Sequence, residues 1–246
     1  MNSGQEFQGV ENNVELGEGV RIAPFAIVKG GSILGDRVQV DHFAVVGGNP
    51  QFLGFDESLS TGVKIGTGSV IREGVTINRS THEGEFTTIG EKCFLMANSH
   101  VAHDCALGNN VILANGVLLA GHVTVGDNVF FGGNTAVQQF TRIGEGAMVA
   151  GLARISMDVP PFVMTGYEND VVGLNLVGLK RRNFSADEIA DLKRCFRAVY
   201  LSKPHGSPTK KAADALNSLP ETARGEQFLR FFTDCEKRKF LRSRIK

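Results

Sequence analysis

Tryptophan is absent from the 246-residue chain, which nevertheless carries 30 glycines. That imbalance argues against an ordinary mixed core and directs attention to internal repeats. Net charge is also absent, with 26 basic and 26 acidic side chains, so no global field argues for nucleic acid as a partner. The four cysteines, Cys93, Cys105, Cys195 and Cys235, form no C-x-x-C pair, which suits free thiols in a reducing compartment. No basic-then-apolar leader opens the chain, and no apolar run approaches the ~18 residues a spanning helix needs. The expectation is a cytoplasmic protein without stable membrane insertion. Action on a membrane precursor remains open.

What the chain does have is a period of six. Apolar residues stand at Val10, Leu16, Ile22, Val28, Leu34, Val40 and Val46, and the phase returns at Ile65, Ile71 and Ile77. It then runs from Ile89 through Leu95, Val101, Leu107, Leu113, Leu119, Val125, Phe131, Val137, Ile143 and Val149 to Ile155. A small or β-branched residue follows four places after each of the first six, from Val14 to Ala44. Neither a helix, with a period near 3.6, nor an ordinary strand, with a period of 2, explains six. Short flat strands joined by tight turns do. Three hexads then close a triangular coil of eighteen residues, and coils stack at the sheet spacing of roughly 4.8 Å. The expected fold is an all-β left-handed parallel β-helix over residues 1–160, an exception to right-handed crossovers.

Two stretches break the phase, residues 49–63 and 79–88. In a solenoid such insertions project from one corner and often bind. Phe52 and Phe55 in the first suggest that it packs on something, such as a neighbouring subunit. Asp158-Val-Pro-Pro161 ends the solenoid, since two prolines cannot continue a ladder. Residues 161–184 read as a connector and 185–246 as a small α-helical domain. It opens on the capping box Ser185-Ala-Asp-Glu188. Further helices are expected over Lys210–Leu219 and Thr222–Arg238. The basic tail, with Lys237, Arg238, Lys239, Arg242, Arg244 and Lys246, reads as a solvated end or, more sharply, as a docking surface for an acidic protein.

An eighteen-residue coil stacks His103, Gly121 and Gln139 on three consecutive coils. His122 lies beside this column, His100 three residues before it, and Asp104 next to His103. Three readings compete. His103 could be a general base, with Asp104 fixing its tautomer and the Gly121 N–H meeting an oxyanion. The histidines could hold zinc, as in γ-class carbonic anhydrases of this fold, although His100, His103 and His122 do not clearly match that spacing. They could also simply fill a subunit interface.

Five segments carry a resemblance: Asn98-Ser-His-Val-Ala-His-Asp-Cys105, Leu119-Ala-Gly-His122, Thr135-Ala-Val-Gln-Gln-Phe140, Asp158-Val-Pro-Pro161 and Gly178-Leu-Lys-Arg-Arg182. Together they closely resemble the UDP-N-acetylglucosamine 3-O-acyltransferases of lipid A biosynthesis, over nearly the whole chain. The resemblance implies a homotrimer with active sites between subunits. The reaction it implies moves a 3-hydroxyacyl group from an acyl carrier protein thioester to the 3-position of a UDP-amino sugar, with no metal and no cofactor. It implies His103 as base, Asp104 as its partner and Gly121 as oxyanion donor. His100, His122 and Gln51 would contact the sugar, Gln139 a phosphate, and Asn175 and Arg181 the nucleotide end. Gly151 would mark the acyl-length position, with room for a longer chain.

This chain also departs from the family pattern. Phe52 stands where the family usually has aspartate, Gly54 where many members have lysine, Gln138 where histidine is usual and Val177 where glutamate is. The acceptor is therefore either UDP-N-acetylglucosamine or its 3-amino analogue, with the latter expected to be preferred. A different hexapeptide acyltransferase and a non-catalytic nucleotide-sugar-binding trimer are the alternatives.

Overall fold

The computed structural model describes residues 9–202, 206–234 and 238–243, so Cys235, Lys237, Arg244 and Lys246 lie outside the described residues. The chain winds as a left-handed parallel β-helix whose three sheets form the sides of a prism. Sheet 1 runs from Glu15–Leu16 to Arg142–Ile143 and sheet 3 from Ile27–Val28 to Arg154–Ile155. Sheet 2 starts at Arg21–Ile22, passes Met148–Val149 and continues beyond the solenoid. The period is visible in the register, where Leu16 pairs with Leu34, Phe94 with Ile112 and His100 with Leu118.

Most strands are two residues long, so one side chain points in and the next out. The inward column of sheet 2, formed by Ile71, Leu95, Leu113, Phe131 and Val149, is completely buried. Val38, Val75, Val117, Val123 and Val129 fill the corners between sheets. Apolar burial along this stacked interior is the main term that holds the coils together. The corners need left-handed backbone, and here glycine shares the work. Asn98, Asn110, Asn128 and Asn134 all have φ between 55° and 59°. Their short polar side chains tolerate that region better than most.

The register also measures the two insertions. Ile33 pairs with Lys64, a step of 31, so 13 residues are added to the eighteen of a coil. Phe86 pairs with Gly62, a step of 24, so 6 are added. Both insertions leave the corner where sheet 3 passes to sheet 1, on successive coils.

The stretch read as a connector is more ordered than its glycines suggested. Strands Val163–Thr165 and Asp170–Leu174 extend sheet 2, and Arg242–Ser243 adds its last strand. A short helix follows, α1 over Leu176–Arg181, capped by Asn175. Burial of Val171, Leu174 and Leu179 explains why these residues fold. Helix α2 spans Ala186–Tyr200, and its Ser185–Glu188 capping box forms as expected. Helix α3 covers Pro208–Leu216 and α4 covers Ala223–Thr233. The caps set both starts: Ser207 precedes a proline at the first turn of α3, and Thr222 caps α4. Glu145 joins the helices to the solenoid, accepting from Arg182, Arg224 and Gln227 at 3.3, 3.1 and 2.8 Å.

Candidate active site

The corner between sheets 3 and 1 holds His103, Gly121 and Gln139 on consecutive coils. Hydrogen bonds step along it, from the His122 N–H to the His103 carbonyl and from the Phe140 N–H to the Gly121 carbonyl, both 3.0 Å. Asp104, His122 and Phe140 occupy the left-handed turn position, with φ of 60°, 59° and 65°. The column is close-packed. A Cβ added to Gly121 would lie 2.6 Å from His103 Cε1 and 2.8 Å from Nε2. Only glycine lets the imidazole lie over the next coil. The Gly121 N–H donates to no acceptor among the described residues.

Asp104 orients His103. The imidazole Nδ1–H donates to Asp104 Oδ2 at 2.7 Å, which leaves Nε2 as the nitrogen able to take a proton. Burial alone would push the Asp104 carboxyl up. Hydrogen bonds from Ser80, Thr81 and His103 outweigh it and hold the group well below the usual carboxylate range. Two more imidazoles approach the same carboxylate, His82 Nδ1 at 3.3 Å and His122 Nε2 at 3.6 Å. His122 stacks on Phe140 with ring centroids 4.6 Å apart. Burial lowers its pKa, although the Asp104 charge opposes that. His100 is bonded through Nδ1 to the Thr76 hydroxyl at 2.7 Å, and burial lowers its pKa too.

A cleft of about 660 Å³ runs beside His103 along sheet 3. Gln51, His100, His103 and Gly121 line it, as do Thr76, Asn78, Leu118 and Ala136. Its floor includes Leu118, an apolar side chain half exposed to solvent. Phe52 packs edge-on against His103, their ring centroids 5.8 Å apart. Phe55 supports Phe52 at 5.7 Å, and the Arg79 guanidinium lies 4.9 Å over the Phe55 ring. Leu53, at the tip of this insertion, is fully exposed.

The structure therefore gathers Gln51, His100, His103, Asp104, Gly121 and His122. Gln139 sits on the same corner, exposed and outside the cleft lining. Asn175 caps α1 and Arg181 ends it, at a different corner, where Asn175 Nδ2 donates to the Gly146 carbonyl at 3.1 Å. Gly151 lies at the third corner, between Met148–Val149 and Arg154–Ile155, above Gly133. Sequence reading missed Ser80, Thr81 and the lining residues Thr76, Leu118 and Ala136. The last three were accessible, because Thr76 and Leu118 are the register partners of His100 in sheet 3 and Ala136 is the next outward residue of that column, paired with Leu118. Ser80 and Thr81 were not, because they sit in a phase break that an eighteen-step count cannot thread.

Donor atoms of His103, Asp104 and His122 lie within 4.8 Å of one another, close enough for a metal ion. The donor set fits one poorly. Both Asp104 oxygens already accept from Ser80, Thr81 and His103. A metal on this carboxylate would have to displace bonds that satisfy it.

Comparison with known proteins gives a consistent picture. A family model described as UDP N-acetylglucosamine O-acyltransferase, domain 2, matches residues 158–241. Models described as bacterial transferase hexapeptide and as hexapeptide repeat of succinyl-transferase match residues 86–121 and 122–151. The acyl-[acyl-carrier-protein]–UDP-N-acetylglucosamine O-acyltransferase of Campylobacter lari is 43% identical over 227 residues, covering 88% of this chain and 84% of that protein. The solved UDP-N-acetylglucosamine acyltransferase from Campylobacter jejuni superposes with a TM-score of 0.82 at 35% identity, covering 95% of this chain and 96% of that one. The Arabidopsis UDP-N-acetylglucosamine acyltransferase gives 0.81 at 29% identity, covering 94% and 91%.

Proposed function

Because the chain belongs to the acyl-[acyl-carrier-protein]–UDP-N-acetylglucosamine O-acyltransferase family, we propose that it carries out the family's acyl transfer with His103 as general base. The donor is a 3-hydroxyacyl thioester of acyl carrier protein. The acceptor is the 3-position of UDP-N-acetylglucosamine or its 3-amino analogue, and the product starts lipid A biosynthesis. The observation that carries the assignment of the base is the His103 ring. It is held by Asp104 through Nδ1 at 2.7 Å and lies over a glycine that has room for it.

His103 Nε2 takes the proton from the acceptor as its oxygen or nitrogen attacks the thioester carbonyl. The Gly121 N–H receives the oxyanion of the tetrahedral intermediate. Collapse breaks the carbon–sulfur bond, and the departing thiolate of the carrier takes the proton back from His103. Asp104 keeps the imidazole in one tautomer and stabilises its charged form between the two transfers. No step passes through a metal. Gln51, His100 and His122 hold the sugar, and Leu118 and Ala136 support the start of the acyl chain.

Gln139, Asn175 and Arg181 bind the phosphates and nucleotide, and Arg181 suits a phosphate through its forked donors. Their positions away from this chain's cleft support delivery from an adjoining copy in a homotrimer, with Gly151 limiting acyl length. The exposed Leu53 and Phe52 support the same contact, since apolar side chains at a loop tip favour a partner.

The test is incubation of the purified protein with each nucleotide sugar and several acyl carrier protein thioesters, before and after dialysis against a strong chelator. Turnover that survives the chelator, by a protein sedimenting as a trimer at micromolar concentration, supports the reading. Saturable nucleotide binding without turnover on any donor would make the protein a binding module. Stoichiometric zinc by elemental analysis, with activity lost on its removal, would revive a metal site.

A further inference from the structure

The insertion between Asn78 and Phe86 wraps around Asp104. Ser80 is completely buried, and its hydroxyl donates to Asp104 Oδ1 at 2.5 Å. The Thr81 N–H donates to the same oxygen at 3.0 Å, and the Thr81 hydroxyl donates to Oδ2 at 2.6 Å. Oδ2 also accepts from His103 at 2.7 Å. Just after the insertion, Thr87 Oγ1 accepts the backbone N–H of Asp104 at 2.8 Å, where the chain is held at φ 60°. A carboxylate offers about four lone-pair sites. Four close donors engage them here, the His103 imidazole and three neutral groups from a single loop, and the His82 ring of that loop adds a longer contact to Oδ1 at 3.3 Å.

We infer that Ser80 and Thr81 are positioning residues for the acyl transfer, which fix Asp104 and, by sharing its charge, limit how strongly it draws a proton onto His103. The inference rests on His103 being the base. A base must be neutral when substrate arrives. A bare carboxylate 2.7 Å from an imidazole favours the imidazolium, which has no lone pair to offer. Donors that already occupy the carboxylate make it a weaker acceptor for the ring. They also keep it ionised, so it still selects the tautomer. The two requirements conflict for a lone carboxylate and are reconciled by a saturated one.

Among the described residues, the titratable groups facing the pair are His82, His100, His122 and Cys105. Burial pushes the Cys105 thiol up to about 12, so it is neutral at working pH. None of the four is itself replaced by the substitutions below, but His82 meets both substituted side chains, its backbone N–H on Ser80 Oγ and its Nδ1 beside Thr81 Oγ1, each at 3.1 Å. The same substitutions are therefore read again in a His82→Gln background.

The experiment compares Ser80→Ala, Thr81→Val and the double variant with the wild-type full chain, using Thr81→Ser as the conservative control. Histidine-selective nuclear magnetic resonance, with the His103 signal assigned by its loss in His103→Gln, follows the imidazole through pH. Steady-state kinetics give kcat/KM against pH. The expected result is an upward shift of the His103 midpoint by about 0.5–1 pH unit per lost donor, of the size a changed hydrogen-bond partner produces. The acid limb of kcat/KM should move with it, KM should hold, and Thr81→Ser should restore both. A midpoint that stays in place or falls would overturn the inference, as would activity lost equally at every pH. Should Ser80→Ala not fold, Thr81→Val and Ser80→Cys carry the same test. The resonance reads the clamp directly, so it remains decisive even if His103→Ala keeps its turnover and the base assignment fails.

Discussion

The insertion between Gly48 and Gly62 carries exposed apolar side chains, whereas the one between Asn78 and Phe86 carries the buried Ser80 and half-buried Thr81 hydroxyls, although both leave the same corner on successive coils. Phe52 of the first leans on His103 from the solvent side. Ser80 and Thr81 of the second reach the same imidazole from beneath, through Asp104. The corner geometry is shared, so the division of labour lies in the side chains. In the proposed reaction the first insertion would shape what arrives at His103 and the second would set the state of its imidazole.

Removing the group on which both insertions converge should have the largest effect. His103→Ala is expected to lower kcat by roughly 10²–10⁴, the usual contribution of a positioned general base. The side chain points outward from the solenoid, so no core cavity is left and the melting temperature should hold. In that background Phe52→Asp and Ser80→Ala should cost nothing more. A variant retaining over half of wild-type turnover would show that His103 is not the base.

Exchanging the chemistry of the first insertion should come next. Phe52 can neither donate nor accept a hydrogen bond, whereas an aspartate there could accept from a sugar hydroxyl. A hydrogen bond to a charged group contributes roughly 1.5–3 kcal/mol, about one to two powers of ten. Phe52→Asp should change the ratio of kcat/KM for UDP-N-acetylglucosamine over its 3-amino analogue by that factor, in favour of the N-acetyl sugar. Thr81→Val should leave the ratio alone. The comparison between the insertions collapses if the wild type already prefers the N-acetyl sugar and neither substitution moves the ratio.

The smallest effect concerns His100, which lies outside both insertions. Burial depresses its folded-state pKa below the usual value of about 6.5. As pH falls, the unfolded chain binds the proton first, so stability is full above about 6.5 and declines below it. Asp104, held far lower, keeps its contribution in that range. His100→Gln should flatten the dependence of thermal unfolding temperature on pH between about 7 and 5. An unchanged slope would assign the loss to other groups.

Much of this was legible without coordinates, and the boundary is physical. The spacing from Ile89 to Ile155 predicted which side chains are buried, because each short strand has one inward and one outward position. The same arithmetic placed Gly121 under His103, and the contact distances agree. Capping chemistry located the start of α2 to the residue. Helix ends were less legible: α4 stops at Thr233, short of Arg238. The connector's glycines concealed two strands and α1, which are held by burial that no local pattern announces.

Periodicity alone therefore determined the solenoid, its core and the column of His103, Gly121 and Gln139, since a repeat of six is a statement about neighbours along the chain and across one coil. Tertiary structure decided everything that enters from outside the phase. It brought Phe52 onto His103, wrapped Ser80 and Thr81 around Asp104, and put Asn175 and Arg181 at another corner. These contacts join residues through paths of irregular backbone, and hydrogen bonds to side chains fix such paths, leaving no period to count.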